Sequence, residues 1–153
     1  MSWLNIPHQL QIEHSWCLPA CAAMVAAYWE QPLYQGDLAR WLKTTAIGTP
    51  ARNIGRLQGY GFEVAYQEGS FEFLSDSIHN GIPCIIFLRT GSLPYWNVDT
   101  PHAVVLAGIE GEQVFLFDPA LSQAPQSVGI ELFMLAWSYA DYTMATIVPA
   151  NRV

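Results

Sequence analysis

Apolar positions recur at helical spacing in the first part of the chain and in short strand-like runs in the second. Residues 1–10 read as an extended polar approach in which Pro7 bars a helix. Proline fits only the first turn of a helix, so Pro19 sets a start near residues 16–18. The Ala-rich run that follows predicts a helix from about Cys17 to Glu30, with Cys21, Met24, Val25 and Tyr28 facing the core. Its many alanines permit close packing and make it the candidate central helix. Pro32 ends it, and Gly36–Lys43 predicts a second, short helix.

Thr49-Pro50 reads as a cap and first turn for a helix over Ala51–Gln58 that stops at Gly59. Phe62–Gln67 alternates like a strand. Ser70–His79 predicts a helix with Phe71, Leu74 and Ile78 inward, ended by Asn80-Gly81. Ile82–Leu88 is apolar throughout, as a strand buried on both faces is. Arg89–Pro101 has no period and reads as a long loop, a kind of segment that often lines sites. Ala103–Ile109 and Gln113–Phe117, joined by Glu110-Gly111-Glu112, predict a hairpin. Ile130–Ser138 predicts a helix and Tyr142–Val148 a last strand. Helices first and neighbouring strands after define an α+β fold, N-terminal helices packed on a mainly antiparallel sheet, with residues 1–153 as one domain.

Composition narrows what such a domain does. Hydrophobic residues make up 52% of the chain and charged ones 12%, which excludes a disordered protein. A net charge of −7 with six Lys plus Arg excludes a nucleic-acid backbone or an anionic membrane as partner, since both need cationic clusters. No apolar run is long enough to insert in a membrane and nothing marks a signal peptide, so the expected location is the cytoplasm. The three cysteines, Cys17, Cys21 and Cys84, are then expected to be reduced thiols.

Cys17 is the candidate with chemistry. On the first turn of its helix, unsatisfied amides and the positive dipole end favour a thiolate. A nucleophilic thiol needs a base, and the base an orienting group; His102 opens one hairpin strand and Asp118 follows the other. They share a sheet face only if Val104 stands opposite Asp118, which requires an odd-numbered loop at 110–112 or a bulge with the same effect. His102 would take the proton from Cys17, Asp118 would fix the ring, and Gln11 would donate to the oxyanion beside the Cys17 amide. Gln9 competes with Gln11, and Asn97 or Asp99 with Asp118. A metal site of Cys17, Cys21 and His102 lacks the usual Cys-x-x-Cys spacing, so neither metal nor cofactor is expected. His8, His14 and His79 read as surface residues.

Gln11, then Cys17 in Cys-Leu-Pro-Ala-Cys-Ala-Ala-Met-Val, the strand Gly81–Ile86, the His102–Ile109 strand and Val114–Pro119 resemble, in order and spacing, the double-glycine leader peptidase family. These are papain-like cysteine peptidases of bacteriocin processing. The resemblance runs from Gln11 to Pro119 and implies a bacterial stand-alone papain-like domain that cleaves a peptide or amide bond through an acyl-enzyme. Leu18 stands where the family commonly has glycine, and the chain has no membrane or ATP-binding portion like those of the family's transporters. Two other functions stay open: a non-catalytic peptide-binding module, suggested by Leu18 and Tyr95-Trp96, and acyl transfer to an amine.

Overall fold

The computed structural model describes residues 2–151. Its frame is a six-stranded sheet, every pairing antiparallel, built from β1 (Phe62–Glu68), β2 (Cys84–Arg89), β3 (Pro101–Glu110), β4 (Gln113–Phe117), β5 (Gln126–Gly129) and β6 (Thr143–Pro149). The spatial order is β1-β6-β2-β3-β4-β5. Helices cover both faces. α1 (Cys17–Tyr28), α2 (Gln35–Trp41) and a 3-10 helix (Ala51–Tyr60) pack on one, α3 (Phe71–His79) and α4 (Ile130–Ser138) on the other.

Side-chain alternation explains the two cores. In β2 and β3, Ile85, Phe87, Ala103, Val105 and Ala107 meet α1, while Cys84, Ile86, Leu88, Val104 and Leu106 meet the α3–α4 layer. A strand covered on both sides has no reason to alternate in polarity, hence the unbroken apolar run. α1 is buried from Leu18 to Ala26, the pattern of a helix enclosed on all sides, and small side chains let it lie close to β3.

Several local expectations need correcting. The helix after Pro50 is 3-10 in type and passes through Gly59 to Tyr60; Gly61, at φ 92°, ends it. Thr49 does not cap it, because its hydroxyl bonds instead to that of Thr44 at 2.7 Å. Between the hairpin and the helix at 130, where the sequence pattern marks no element, Gln126–Gly129 form the strand β5. His8 is no surface residue: its Nε2 donates to the Leu121 carbonyl at 2.6 Å and its ring packs on Phe117.

The hairpin decides the site. Glu110 pairs with Gln113, so the turn has two residues, with Gly111 at φ 59°. That turn alone would put residues 102 and 118 out of phase. Between Leu106 and Gly108 the ladder shifts by one, leaving Ala107 as a bulge, and beyond it Val105 faces Phe117. Continued one step further, that register sets Val104 opposite Asp118. The Ala107 carbonyl accepts the Leu4 amide at 2.8 Å, so the bulge also anchors the N-terminal arm. Glycine follows it for steric reasons: a Cβ at 108 would meet the arm's backbone at Ser2 and Trp3.

Candidate active site

The α1 N-terminus is bare. Trp16 occupies the cap position without a side-chain hydrogen bond, Pro19 has no amide hydrogen, and the turn closes with Ala20 N–H to Trp16 O at 3.0 Å. Among the described residues the Cys17 and Leu18 amides donate to nothing. Cys17 is half-buried, whereas Leu18, Cys21 and Cys84 are core residues. Burial pushes the Cys84 thiol up to about 12. The Cys21 thiol is raised too, by burial first and then by its neighbours Cys17 and Asp118.

His102 and Asp118 meet where the sheet's two layers join. Cys17 packs with the α1 core, and Tyr95 and Trp96 with the α4 core. His102 Nε2 donates to Asp118 Oδ1 at 2.7 Å, the histidine side chain 5% exposed and the aspartate side chain 0%. Nε2 is thus committed to Asp118, and Cys17 lies near enough to the ring to bear on its protonation. Burial alone would lower the His102 pKa, but Asp118 and then Cys17 outweigh it and raise it to about 9. Burial would likewise raise the Asp118 carboxyl; His102, Trp96 and the Ala120 amide reverse this and hold it below its usual value.

Two residues at the carboxylate carry no sequence pattern that marks them. Tyr95 Oη and Trp96 Nε1 donate to Asp118 Oδ2 at 3.0 and 2.9 Å, and the indole meets the His102 ring edge-on at 4.9 Å. Burial, then Asp118, raise the Tyr95 hydroxyl pKa, so it remains a donor. The usable signal was chemical: amphipathic aromatics just before the histidine strand need a partner when buried.

Gln11 lies in the loop entering Cys17, its backbone amide on the Pro119 carbonyl at 2.8 Å. Its side-chain amide turns into that loop, donating to His14 O at 2.7 Å and Glu13 O at 3.2 Å, and its Oε1 is buried without a partner. Gln35, on α2, brackets it. Its Oε1 accepts the Ile12 amide at 3.0 Å, and its Nε2 donates to Leu10 O at 2.9 Å and Gln9 Oε1 at 3.0 Å. The other orienting candidates lie elsewhere: Asn97 is exposed, and Asp99 pairs with Arg89, whose hydrogen bond lowers its pKa. Among the described residues no group of three or more His, Cys, Asp or Glu side chains is placed to hold a metal ion. An open cleft of about 440 Å³, between the 13–16 run and Thr44–Ala46, adjoins the approach to Cys17.

A half-buried thiol at a central helix's N-terminus and a buried histidine–aspartate pair on an antiparallel sheet are features of a cysteine peptidase of the papain-like class. The solved structures it resembles have that fold. A putative C39-like peptidase from Bacillus anthracis is 19% identical with a TM-score of 0.78, over 96% of each chain. A double-glycine motif protease from an AMS/PCAT transporter, in complex with the leader peptide, is 22% identical with a TM-score of 0.76, over 97% of this chain and 94% of that one. The peptidase domain of Streptococcus ComA is 22% identical with a TM-score of 0.78, over 95% and 99%. The Peptidase_C39 like family model matches residues 3–144, and the chain belongs to that family. No curated protein matches it.

Proposed function

We propose that the chain hydrolyses a peptide or amide bond with Cys17 as nucleophile, His102 as acid and base, Asp118 as orienting group and Gln11 as oxyanion donor. The observation that carries this reading is the 2.7 Å bond from His102 Nε2 to Asp118, which leaves Nδ1 for the thiol. Cys17 Sγ attacks the carbonyl carbon as thiolate, and the oxyanion is met by the Cys17 amide and by Gln11. The tetrahedral intermediate collapses as His102 gives its Nδ1 proton to the leaving nitrogen. A thioester remains. Water then attacks it, His102 takes the water's proton, and the thiolate is released with the acid. For Gln11 to serve, its amide turns one hydrogen away from the loop, most easily the one on Glu13 at 3.2 Å.

The non-catalytic binding reading loses its motives, since Leu18 is a core residue and Tyr95 and Trp96 face Asp118. The substrate is read as a peptide, because a fold relative is a protease in complex with its leader peptide. We take residues 1–153 as one catalytic domain working in the cytoplasm, where a free thiol persists; no helix of the described residues is long and apolar enough to cross a membrane.

The test uses iodoacetamide and p-nitrophenyl acetate at neutral pH. Cys17 is expected to alkylate faster than a free small thiol, and Cys17→Ala and His102→Ala to abolish the acylation burst. Alkylation no faster than a free thiol, together with full ester hydrolysis by Cys17→Ala, would refute the assignment.

A further inference from the structure

Asp118 accepts four hydrogen bonds while wholly buried. His102 Nε2 and the Ala120 amide, at 2.7 and 2.9 Å, share Oδ1; Tyr95 Oη and Trp96 Nε1, at 3.0 and 2.9 Å, share Oδ2. A carboxylate with two donors on each oxygen cannot rotate without breaking at least one bond. Its plane is therefore fixed, and the imidazole bonded to it inherits the direction. Oδ1 is held by the hairpin and the turn after it. Among the described residues Oδ2 is held only by the 89–101 loop, which follows β2.

That loop is itself fastened at its base. Thr90 is fully buried, donates its hydroxyl to Val98 O at 2.6 Å and accepts the Thr100 amide at 3.0 Å, which closes the loop beneath Tyr95 and Trp96. The indole has a second contact, its ring edge-on to His102 at 61°. One residue thus donates to the carboxylate and also covers the imidazole bonded to it, keeping water from the bond between them. In a dry site that bond is stronger and its partners have no competing donor.

We propose that Tyr95 and Trp96 are positioning residues of the peptidase reaction: together they fix the plane of Asp118, and through His102 Nε2 the direction in which Nδ1 meets Cys17. Neither touches the reacting atoms. The inference rests on the triad reading and adds to it the two groups that make Asp118 an orienting group.

Tyr95→Phe and Trp96→Phe remove one donor each and keep a ring in place. Tyr28→Phe is the control, because it deletes a part-buried 2.7 Å bond to Gly81 O away from the site. In p-nitrophenyl acetate hydrolysis each site variant is expected to lose about tenfold or more in kcat, the scale of a misoriented catalytic group, with KM changed by less than about twofold. In proton NMR the downfield His102 Nε2–H resonance is expected to be sharp in wild type and in Tyr28→Phe, and broadened by exchange with water in both site variants. A structural role alone lowers Tm in all three and moves neither readout. Site variants that keep both kcat and the sharp proton overturn the proposal, and so does a fall in kcat with the proton still protected. If Cys17→Ala does not abolish the wild-type reaction, the triad reading fails instead, and the NMR readout still tests the hydrogen-bonded arrangement.

Discussion

Replacing Asp118 with asparagine separates the two things the carboxylate does, holding a charge and filling a set of donors. In the folded protein His102 titrates at about 9 instead of its usual 6.5, because Asp118, helped by Cys17, outweighs the burial that would lower it. At about 1.4 kcal/mol per pKa unit this is worth about 3 kcal/mol of stability. A folded-state pKa above the unfolded one stabilises fully below the unfolded value, so the contribution is whole below about pH 6.5 and fades as pH rises through about 9. The lowered Asp118 pKa describes the same pair from the acid side. Its stabilisation is present above the usual carboxyl range and is lost as pH falls through the depressed value.

Asparagine also cannot satisfy the donors. His102 Nε2 and Ala120 N–H point at one side of the group, Tyr95 Oη and Trp96 Nε1 at the other. Whichever way the amide is turned, its NH2 meets either the Ala120 or the Trp96 N–H, and neither can accept. One orphaned donor costs about 1–3 kcal/mol. In a Cys17→Ala background, which removes the thiol's own titration, Asp118→Asn is therefore expected to lose about 3–6 kcal/mol near pH 6 and about 1–3 kcal/mol near pH 9.5. Urea denaturation followed by tryptophan fluorescence at the two pH values measures both. An equal loss at both would show that the buried ion pair does not stabilise this fold.

Two further substitutions test the arm that carries Gln11. Gly108→Ala would set a Cβ 2.8 Å from Trp3 Cα and closer still to Ser2 O, so the arm must lift from the Ala107 carbonyl; the expected loss is about 1–3 kcal/mol in a urea melt, and unchanged stability would show that the arm is not held there. Gln35→Met removes all three bonds that bracket Gln11 and orphans the Ile12 amide, a loss of about 1–3 kcal/mol. Faster hydrogen exchange at the Gln11 amide, now protected by Pro119 O, is its local sign; unaltered exchange would show that something else holds the segment.

What could be read from the sequence is what local chemistry dictates. Pro19 places the start of α1, Asn80 and Gly81 end α3, and the unbroken run in β2 declares a strand covered on both sides. The misses share a cause. β5 is four residues with a mixed pattern, and it is a strand because β4 offers it a ladder. His8 is drawn inward by a carbonyl and a phenyl ring far along the chain. Tyr95 and Trp96 belong to a segment without period, whose meaning depends on where it lands. The cap expected of Thr49 failed because Thr44 offered its hydroxyl a competing partner.

The bulge at Ala107 shows why a site can be half legible. Turn residues near Gly111 mark the hairpin, but a two-residue turn by itself gives the wrong phase for His102 and Asp118. The extra residue that restores the phase leaves a carbonyl outside the regular ladder, and that carbonyl takes Leu4. From Leu4 the arm runs through His8, on Leu121 O, to Gln11, on Pro119 O, so three of its residues are fastened to β3 or to the segment just after β4. The feature that lets His102 meet Asp118 is thus also an anchor of the segment that leads into Cys17. A change at Ala107 or Gly108 reaches both the His102–Asp118 pair and the approach to Cys17 at once, so the N-terminal arm belongs to the frame of the proposed site although it supplies none of these three side chains.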